Sequence, residues 1–144
     1  MSEEASLHLV VRRRIRATPQ RLFDAWTDPA ALVKWWGPAD ITCPEAEVDL
    51  RVGGAYRIAN RNAEGDVIWI AGEFEEVSPP ERLVYTWRLG AEETSQRVTV
   101  RFEARGDATE VIVVHERIPS VAAKESHERG WIGCLDGLVA LMEG

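Results

Sequence analysis

The sequence has 144 residues, of which 45% are hydrophobic and 28% are charged, and its formal net charge is -7. This length and composition predict one globular domain over residues 1–144 and exclude a largely disordered chain. The acidic balance argues against a generic binder of the nucleic-acid backbone, which would require a basic face. The polar and acidic residues 1–6 are expected to form a disordered tail.

Neither a signal peptide nor a membrane span is predicted. The N-terminus has no apolar core of the kind that a signal peptide requires, and no apolar run approaches the ~20 residues of a membrane span. The two cysteines, Cys43 and Cys134, do not belong to a metal-binding spacing. The sequence therefore predicts a cytoplasmic protein with reduced thiols, without membrane insertion, a metal or another cofactor.

The first predicted elements are a strand and two short helices. Apolar and polar residues alternate between Leu7 and Ile15, which predicts the strand. Thr18-Pro19 and Asp28-Pro29 each supply an N-cap followed by a proline at the first helical position. Two helices in tandem are therefore expected, and the second should run through Trp36 and stop at Gly37-Pro38.

A period of two then replaces the helical pattern. Turn residues such as glycine, proline and asparagine separate the alternating segments at short intervals. Short connections predict an antiparallel meander, because parallel strands need longer crossovers. The predicted strands are Ile41–Leu50, Ala55–Asn60, Val67–Val77, Arg82–Arg88, Arg97–Ala104 and Thr109–Arg117.

The last predicted element is a long helix from about Ala122 to Met142. Its apolar stripe contains Trp131, Leu135 and Leu138 at helical spacing. The order of elements predicts an α+β fold in which helices cover one face of an antiparallel sheet. Three glycines weaken the helix by ~1 kcal/mol each relative to alanine, and they can face either the sheet or solvent. They are Gly130, Gly133 and Gly137.

Several sequence strings, in the same order along the chain, carry a family resemblance. They include Phe23–Pro29, Trp35–Pro38, Val48–Gly54, Gly72–Phe74, Val77–Leu83, Tyr85–Trp87, His115-Glu116 and Gly130–Leu138. Together they span almost the whole chain, from about Leu9 to Leu141. In this order they resemble the activator-of-heat-shock-protein-90-ATPase homologue-like (AHSA-type) branch of the START/Bet v 1-like (SRPBCC) superfamily.

The resemblance implies a helix-grip fold, in which a curved antiparallel sheet wraps the C-terminal helix and leaves a cavity between them. The co-chaperone that gives the family its name carries a further N-terminal domain, which these 144 residues are not expected to contain. Gly133 stands where relatives commonly have a polar residue. A cavity of roughly 300–1,000 Å³ is expected, the usual range for ligand pockets.

Aromatic side chains are the first candidates for lining that cavity. Tyr85 and Trp87 share one strand face, and Trp131 lies on the apolar side of the long helix. Taken singly, each is better explained as an ordinary core residue, whereas several together are expected to line a pocket. The remaining aromatic candidates are Trp36, Trp69 and Phe74.

The histidines are the second group of candidates. The resemblance implies that His115, at the end of the last strand, and His127, early in the long helix, approach the same mouth of the cavity. They could bind a ligand oxygen or, with Glu116, act as general acid and base. The alternative is that His115 is partly exposed at the strand end and that His127 faces solvent on the helix. No spacing supports a zinc site with Cys43 and Cys134, and Cys134 is better explained as a small buried side chain.

Three functions remain open from the sequence. The first is the binding of an apolar small molecule, lipid-like or aromatic. The second is a cofactor-free enzyme of the cyclase or hydrolase kind that uses His115, Glu116 and His127. The third is a chaperone (heat-shock protein 90) partner, on the family name alone. Binding is placed first, because the sequence contains no nucleophile motif such as GxSxG. The candidate ligand-binding residues are Trp36, Trp69, Phe74, Tyr85, Trp87, His115, His127 and Trp131.

Overall fold

The computed structural model describes residues 7–38, 40–91 and 95–144, so the expected tail at residues 1–6 lies outside the described residues. The elements follow the predicted order of one strand, two short helices, six strands and a long helix. They are β1 (Leu7–Ile15), α1 (Pro19–Thr27), α2 (Pro29–Trp35), β2 (Ala46–Val48), β3 (Ala55–Arg61), β4 (Val67–Ser78), β5 (Arg82–Leu89), β6 (Gln96–Arg105), β7 (Ala108–Ile118) and α3 (Val121–Glu143).

The seven strands form one curved antiparallel sheet in the order β1-β7-β6-β5-β4-β3-β2. Strands β2 to β7 form an unbroken meander, and β1, the first element of the chain, pairs with β7, the last strand. Helix α3 packs against β1 and β7, while α1 packs on β6 and α2 on α3. This arrangement confirms the predicted α+β helix-grip fold. In the described part of the chain, no helix has the length and apolarity needed to cross a membrane.

Side-chain caps begin all three helices. The hydroxyl of Thr18 accepts a hydrogen bond from the N–H of Arg21, and a carboxylate oxygen of Asp28 accepts one from Ala30. Ser120 caps α3 in the same way. Each cap satisfies an amide that the first helical turn leaves without a partner. Helix α2 ends at Trp35, one residue before the predicted end, because the following residue has extended backbone angles.

Strand β2 is much shorter than predicted. The alternating pattern suggested Ile41–Leu50, but only Ala46–Val48 pairs as a strand with β3. Two local features explain the difference. Pro44 has no N–H to donate to a ladder. The chain also turns immediately after β2, where the N–H of Arg51 donates to the carbonyl of Asp49.

The glycines of α3 have different surroundings. Gly137 lies against α2, and a Cβ built on it would overlap the carbonyl oxygen of Trp35. A Cβ built on Gly130 would meet no atom within 4 Å. Gly137 therefore permits a close helix–helix approach, whereas Gly130 borders open space. The buried residues Trp131, Leu135 and Leu138 hold the same helix to the core.

Alanine substitutions at these glycines are expected to have opposite effects. Gly130→Ala should raise the free energy of unfolding by ~0.5–1 kcal/mol, since alanine favours the helix and nothing obstructs its methyl group. Gly137→Ala should lower it by about 1–3 kcal/mol, because the backbone of α2 must move. Urea denaturation of the two variants measures both changes. Equal stability of the two would contradict this account of α3 packing.

Candidate ligand pocket

A pocket of about 260 Å³ lies between the sheet and α3. Its position is the expected one, and its volume is slightly below the usual range of ~300–1,000 Å³. Three strands, the segment after α2 and one face of α3 form the walls. The lining residues are Trp36, Pro38, Ile41, Asn60, Asn62, Ile68, Ile70, Trp87, Leu89, Ser126, His127, Gly130, Trp131 and Cys134.

Four of the eight candidate residues lie in this wall: Trp36, Trp87, His127 and Trp131. Phe74 and Tyr85 instead border a separate void of about 20 Å³ within the core. A space of that size has room for little more than one water molecule. These two residues are therefore part of the core packing, and the structure does not bring them to the larger pocket.

Trp69 does not reach the pocket either. The Arg57 guanidinium lies 4.3 Å from the centre of its ring, whereas its neighbours Ile68 and Ile70 line the pocket. Successive side chains of a strand point to opposite faces, so a pocket that takes residues 68 and 70 leaves residue 69 outside. The period of two is the signal that would have selected these isoleucines. The same period pairs Leu89 with Trp87 on β5.

Trp131 belongs to both the core and the pocket wall. Its ring stacks on Trp26, with centroids 6.0 Å apart, and meets Trp36 edge to face at 5.5 Å. Its N–H donates to Nδ1 of His115 across 3.0 Å. Such aromatic pairs and a satisfied indole N–H are what burial of tryptophan requires. Trp131 therefore both lines the pocket and anchors α3 to the core.

His115 lies directly behind the wall and is neutral. An indole N–H can only donate, so the Nδ1 atom that accepts from Trp131 carries no proton. The other nitrogen, Nε2, then donates to Oε1 of Gln96 across 2.6 Å. Burial, and secondarily the nearby His127, lower the pKa of His115 to about 3. Both ring nitrogens are thus occupied in one tautomer.

The two histidines are buried and in contact, which corrects the interpretation that His115 is partly exposed and His127 faces solvent. Their rings stack with centroids 5.0 Å apart and an interplanar angle of 10°. The ring of Trp87 meets both edge to face, at 4.6 and 4.8 Å. Glu116 does not join them, because it follows His115 on β7 and pairs in register with Arg97. The proposed acid–base trio is therefore not assembled.

The pocket wall carries no fixed charge in the described part of the chain. None of its lining residues is an aspartate, glutamate, lysine or arginine, and its polar members are Asn60, Asn62, Ser126 and His127. Burial raises the pKa of the Cys134 thiol to about 12, so this side chain remains protonated. Among the described residues, no cluster of three or more histidine, cysteine or carboxylate side chains is placed to bind a metal.

Comparison with known proteins identifies related chains. The family model for Activator of Hsp90 ATPase homolog 1-like protein matches residues 16–143. A solved structure of a protein from Chromobacterium violaceum is 31% identical, with a TM-score of 0.87 over 95% of this chain and 97% of that one. An AHSA1 protein from Silicibacter pomeroyi is 26% identical, with a TM-score of 0.85 over 95% and 98%.

A third structure, an HSP90 activator from Plasmodium falciparum, is 24% identical, with a TM-score of 0.73 over 94% of this chain and 96% of that one. At this identity the likeness concerns the fold alone. No curated protein sequence matches the chain. These findings confirm the resemblance inferred from the sequence strings.

Trp131→Ala is expected to lower the free energy of unfolding by about 3–5 kcal/mol, since it removes packing against two tryptophans and leaves His115 without its donor. Trp69→Ala is the matched control, because Trp69 is half-buried beneath Arg57. Its replacement should lower the free energy of unfolding much less. Urea denaturation compares the two variants. Similar losses would show that Trp131 is not a principal anchor.

The stability of the protein should fall in acid through His115. Its pKa is about 3 in the folded protein and ordinarily 6.5, so between these values the unfolded chain binds more protons. Neutral His115 therefore makes its full contribution to the free energy of unfolding above pH 6.5. That contribution decreases as the pH falls towards 3, by at most about 1.4 kcal/mol per pH unit. Urea denaturation from neutral pH to about pH 4 measures the slope.

The variant His115→Gln should show a shallower acid slope than the wild type, whatever its absolute stability. His8→Gln is the control, because His8 is exposed on β1 and its replacement should leave the slope unchanged. An identical slope in His115→Gln and wild type would contradict the assignment of a buried, neutral His115.

Proposed function

We propose that this chain, which belongs to the family of Activator of Hsp90 ATPase homolog 1-like proteins, binds an uncharged and mainly apolar small molecule in the pocket between its sheet and α3. The observation that carries the proposal is the chemistry of the pocket wall. Its described members are chiefly aromatic and aliphatic, and none is a carboxylate, ammonium or guanidinium group. An apolar cavity with a few polar groups is typical of small-molecule sites.

The free energy of transfer favours such a ligand. Burial of apolar surface contributes roughly 25 cal/mol per Å². A charged ligand would lose its hydration and find no opposite charge in the described wall. The volume of about 260 Å³ suits a compact lipid-like or aromatic compound better than a long acyl chain.

The cyclase or hydrolase alternative has weaker support. A general acid or base must reach the reacting group and exchange a proton near the working pH. His115 has both ring nitrogens engaged and a pKa of about 3, and Glu116 follows it on the opposite face of β7. His127 is then the one member of the trio that lines the pocket. Binding without turnover is the better match to this arrangement.

Heat-shock protein 90 as a partner is a second candidate. It is supported by the family name and by the HSP90 activator from Plasmodium falciparum that has the same fold. This role would use an outer surface, so it neither requires nor excludes a pocket ligand. The ATPase rate of purified Hsp90, measured with and without the chain, tests it independently of the pocket.

Filling the pocket should weaken binding. Gly130 shares its helical face with Ser126, His127 and Cys134, and its missing side chain leaves open space beside the pocket. Gly130→Leu should weaken the binding of N-phenyl-1-naphthylamine, an uncharged fluorescent probe, by about 10-fold or more. Fluorescence titration of wild type and variant measures the two dissociation constants.

Ala140→Leu is the matched control, because it adds a leucine at an exposed position of the same helix, away from the pocket. It should bind the probe as the wild type does. If folded Gly130→Leu bound the probe with wild-type affinity, the probe would occupy another surface and the proposed site would be rejected. Mass spectrometry of the natively purified protein adds a search for a co-purified compound.

A further inference from the structure

Three tryptophans line the pocket, and their indole N–H groups differ in whether a described residue accepts a hydrogen bond from them. The N–H of Trp36 donates to Oδ1 of Asn60 across 3.0 Å, and that of Trp131 donates to His115 across 3.0 Å. The buried N–H of Trp87 has no acceptor among residues 7–38, 40–91 and 95–144. Trp87 is only 5% exposed, so bulk water does not accept a hydrogen bond from this N–H.

A buried donor without an acceptor is unfavourable, and native proteins rarely retain one without a reason. The indole nitrogen has no lone pair to offer, so only an acceptor can satisfy it. The rings of His115 and His127 pack edge to face against Trp87 and hold its orientation. Trp87 is one of the residues that line the pocket, so its ring borders that unfilled space.

We propose that Trp87 donates a hydrogen bond to a carbonyl oxygen of the bound molecule, so that the pocket selects uncharged apolar compounds that carry a ketone, ester or similar acceptor at their buried end. This inference rests on the proposed binding function and specifies the class of ligand. A carboxylate would also accept the bond, but the described wall has no cation to balance its charge. A pure hydrocarbon would leave the indole without a partner.

The test compares two ligands of nearly equal shape, 2-acetylnaphthalene and 2-isopropylnaphthalene, which differ by a carbonyl oxygen in place of a methyl group. Trp87→Phe removes the N–H and keeps an aromatic ring. It should weaken binding of the ketone by about 2- to 10-fold more than binding of the hydrocarbon. Trp69→Phe is the control, because Trp69 lies outside the pocket and its replacement should change neither affinity.

Nuclear magnetic resonance of the ¹⁵N-labelled wild-type protein gives a second readout that does not depend on the folding of a variant. The indole N–H resonance of Trp87 should move downfield when the ketone is added and should not do so with the hydrocarbon. Those of Trp36 and Trp131, which already donate to protein acceptors, should show no such difference between the two ligands.

Three results would overturn the inference. If Trp87→Phe affected ketone and hydrocarbon binding equally, or if the Trp87 resonance responded alike to both, the pocket would bind apolar molecules without this hydrogen bond, and the proposed function would stand. If neither naphthalene nor N-phenyl-1-naphthylamine bound to the wild-type protein, the proposed function itself would fail, and the inference with it.

Discussion

The indole of Trp131 is the group on which both the core and the pocket depend. Its ring packs against Trp26 and Trp36, and its N–H holds Nδ1 of His115. Packing alone would tolerate small rotations of α3, because dispersion forces have little direction. A hydrogen bond to a buried imidazole does not tolerate them, since losing it would leave two polar groups unsatisfied. The position of α3 over the sheet, and therefore the shape of the pocket, follows from this combination.

The buried histidine pair gives the pocket its chemical character. Burial keeps His115 neutral, two hydrogen bonds engage its ring nitrogens, and the stacked ring of His127 lines the pocket. A wall whose described residues carry no fixed charge would favour uncharged ligands and oppose the formation of ionic intermediates. The same features that support binding thus weaken the argument for acid–base catalysis. Under the proposed function, the indole N–H of Trp87, which has no acceptor among the described residues, would add directional selectivity to a mainly apolar wall.

Two glycines in one helix serve opposite geometrical purposes. Gly137 lets the backbone of α3 approach the carbonyl of Trp35, so the two helices pack closely at that level. Gly130 is seven residues earlier, which is about two helical turns or roughly 10 Å along the axis. There the missing side chain leaves space that belongs to the pocket. One helix therefore packs closely against α2 at one level and borders the open pocket at another, and the close approach depends on the absence of a Cβ at Gly137.

The sequence by itself determined the order of the elements and the antiparallel sheet, because caps such as Thr18 and Asp28 and the period of two act locally. Its series of sequence strings indicated the family. It also indicated that aromatic residues would surround a cavity. Only the tertiary structure decided which aromatic residues line the cavity, since their positions depend on strand register and sheet curvature. The period of two puts Trp69 and its neighbours on opposite faces, but which face borders the pocket depends on how the sheet packs. The stacking of His115 on His127 likewise depends on how α3 packs against β7. Contacts of that kind arise from packing among several elements, so no local pattern encodes them.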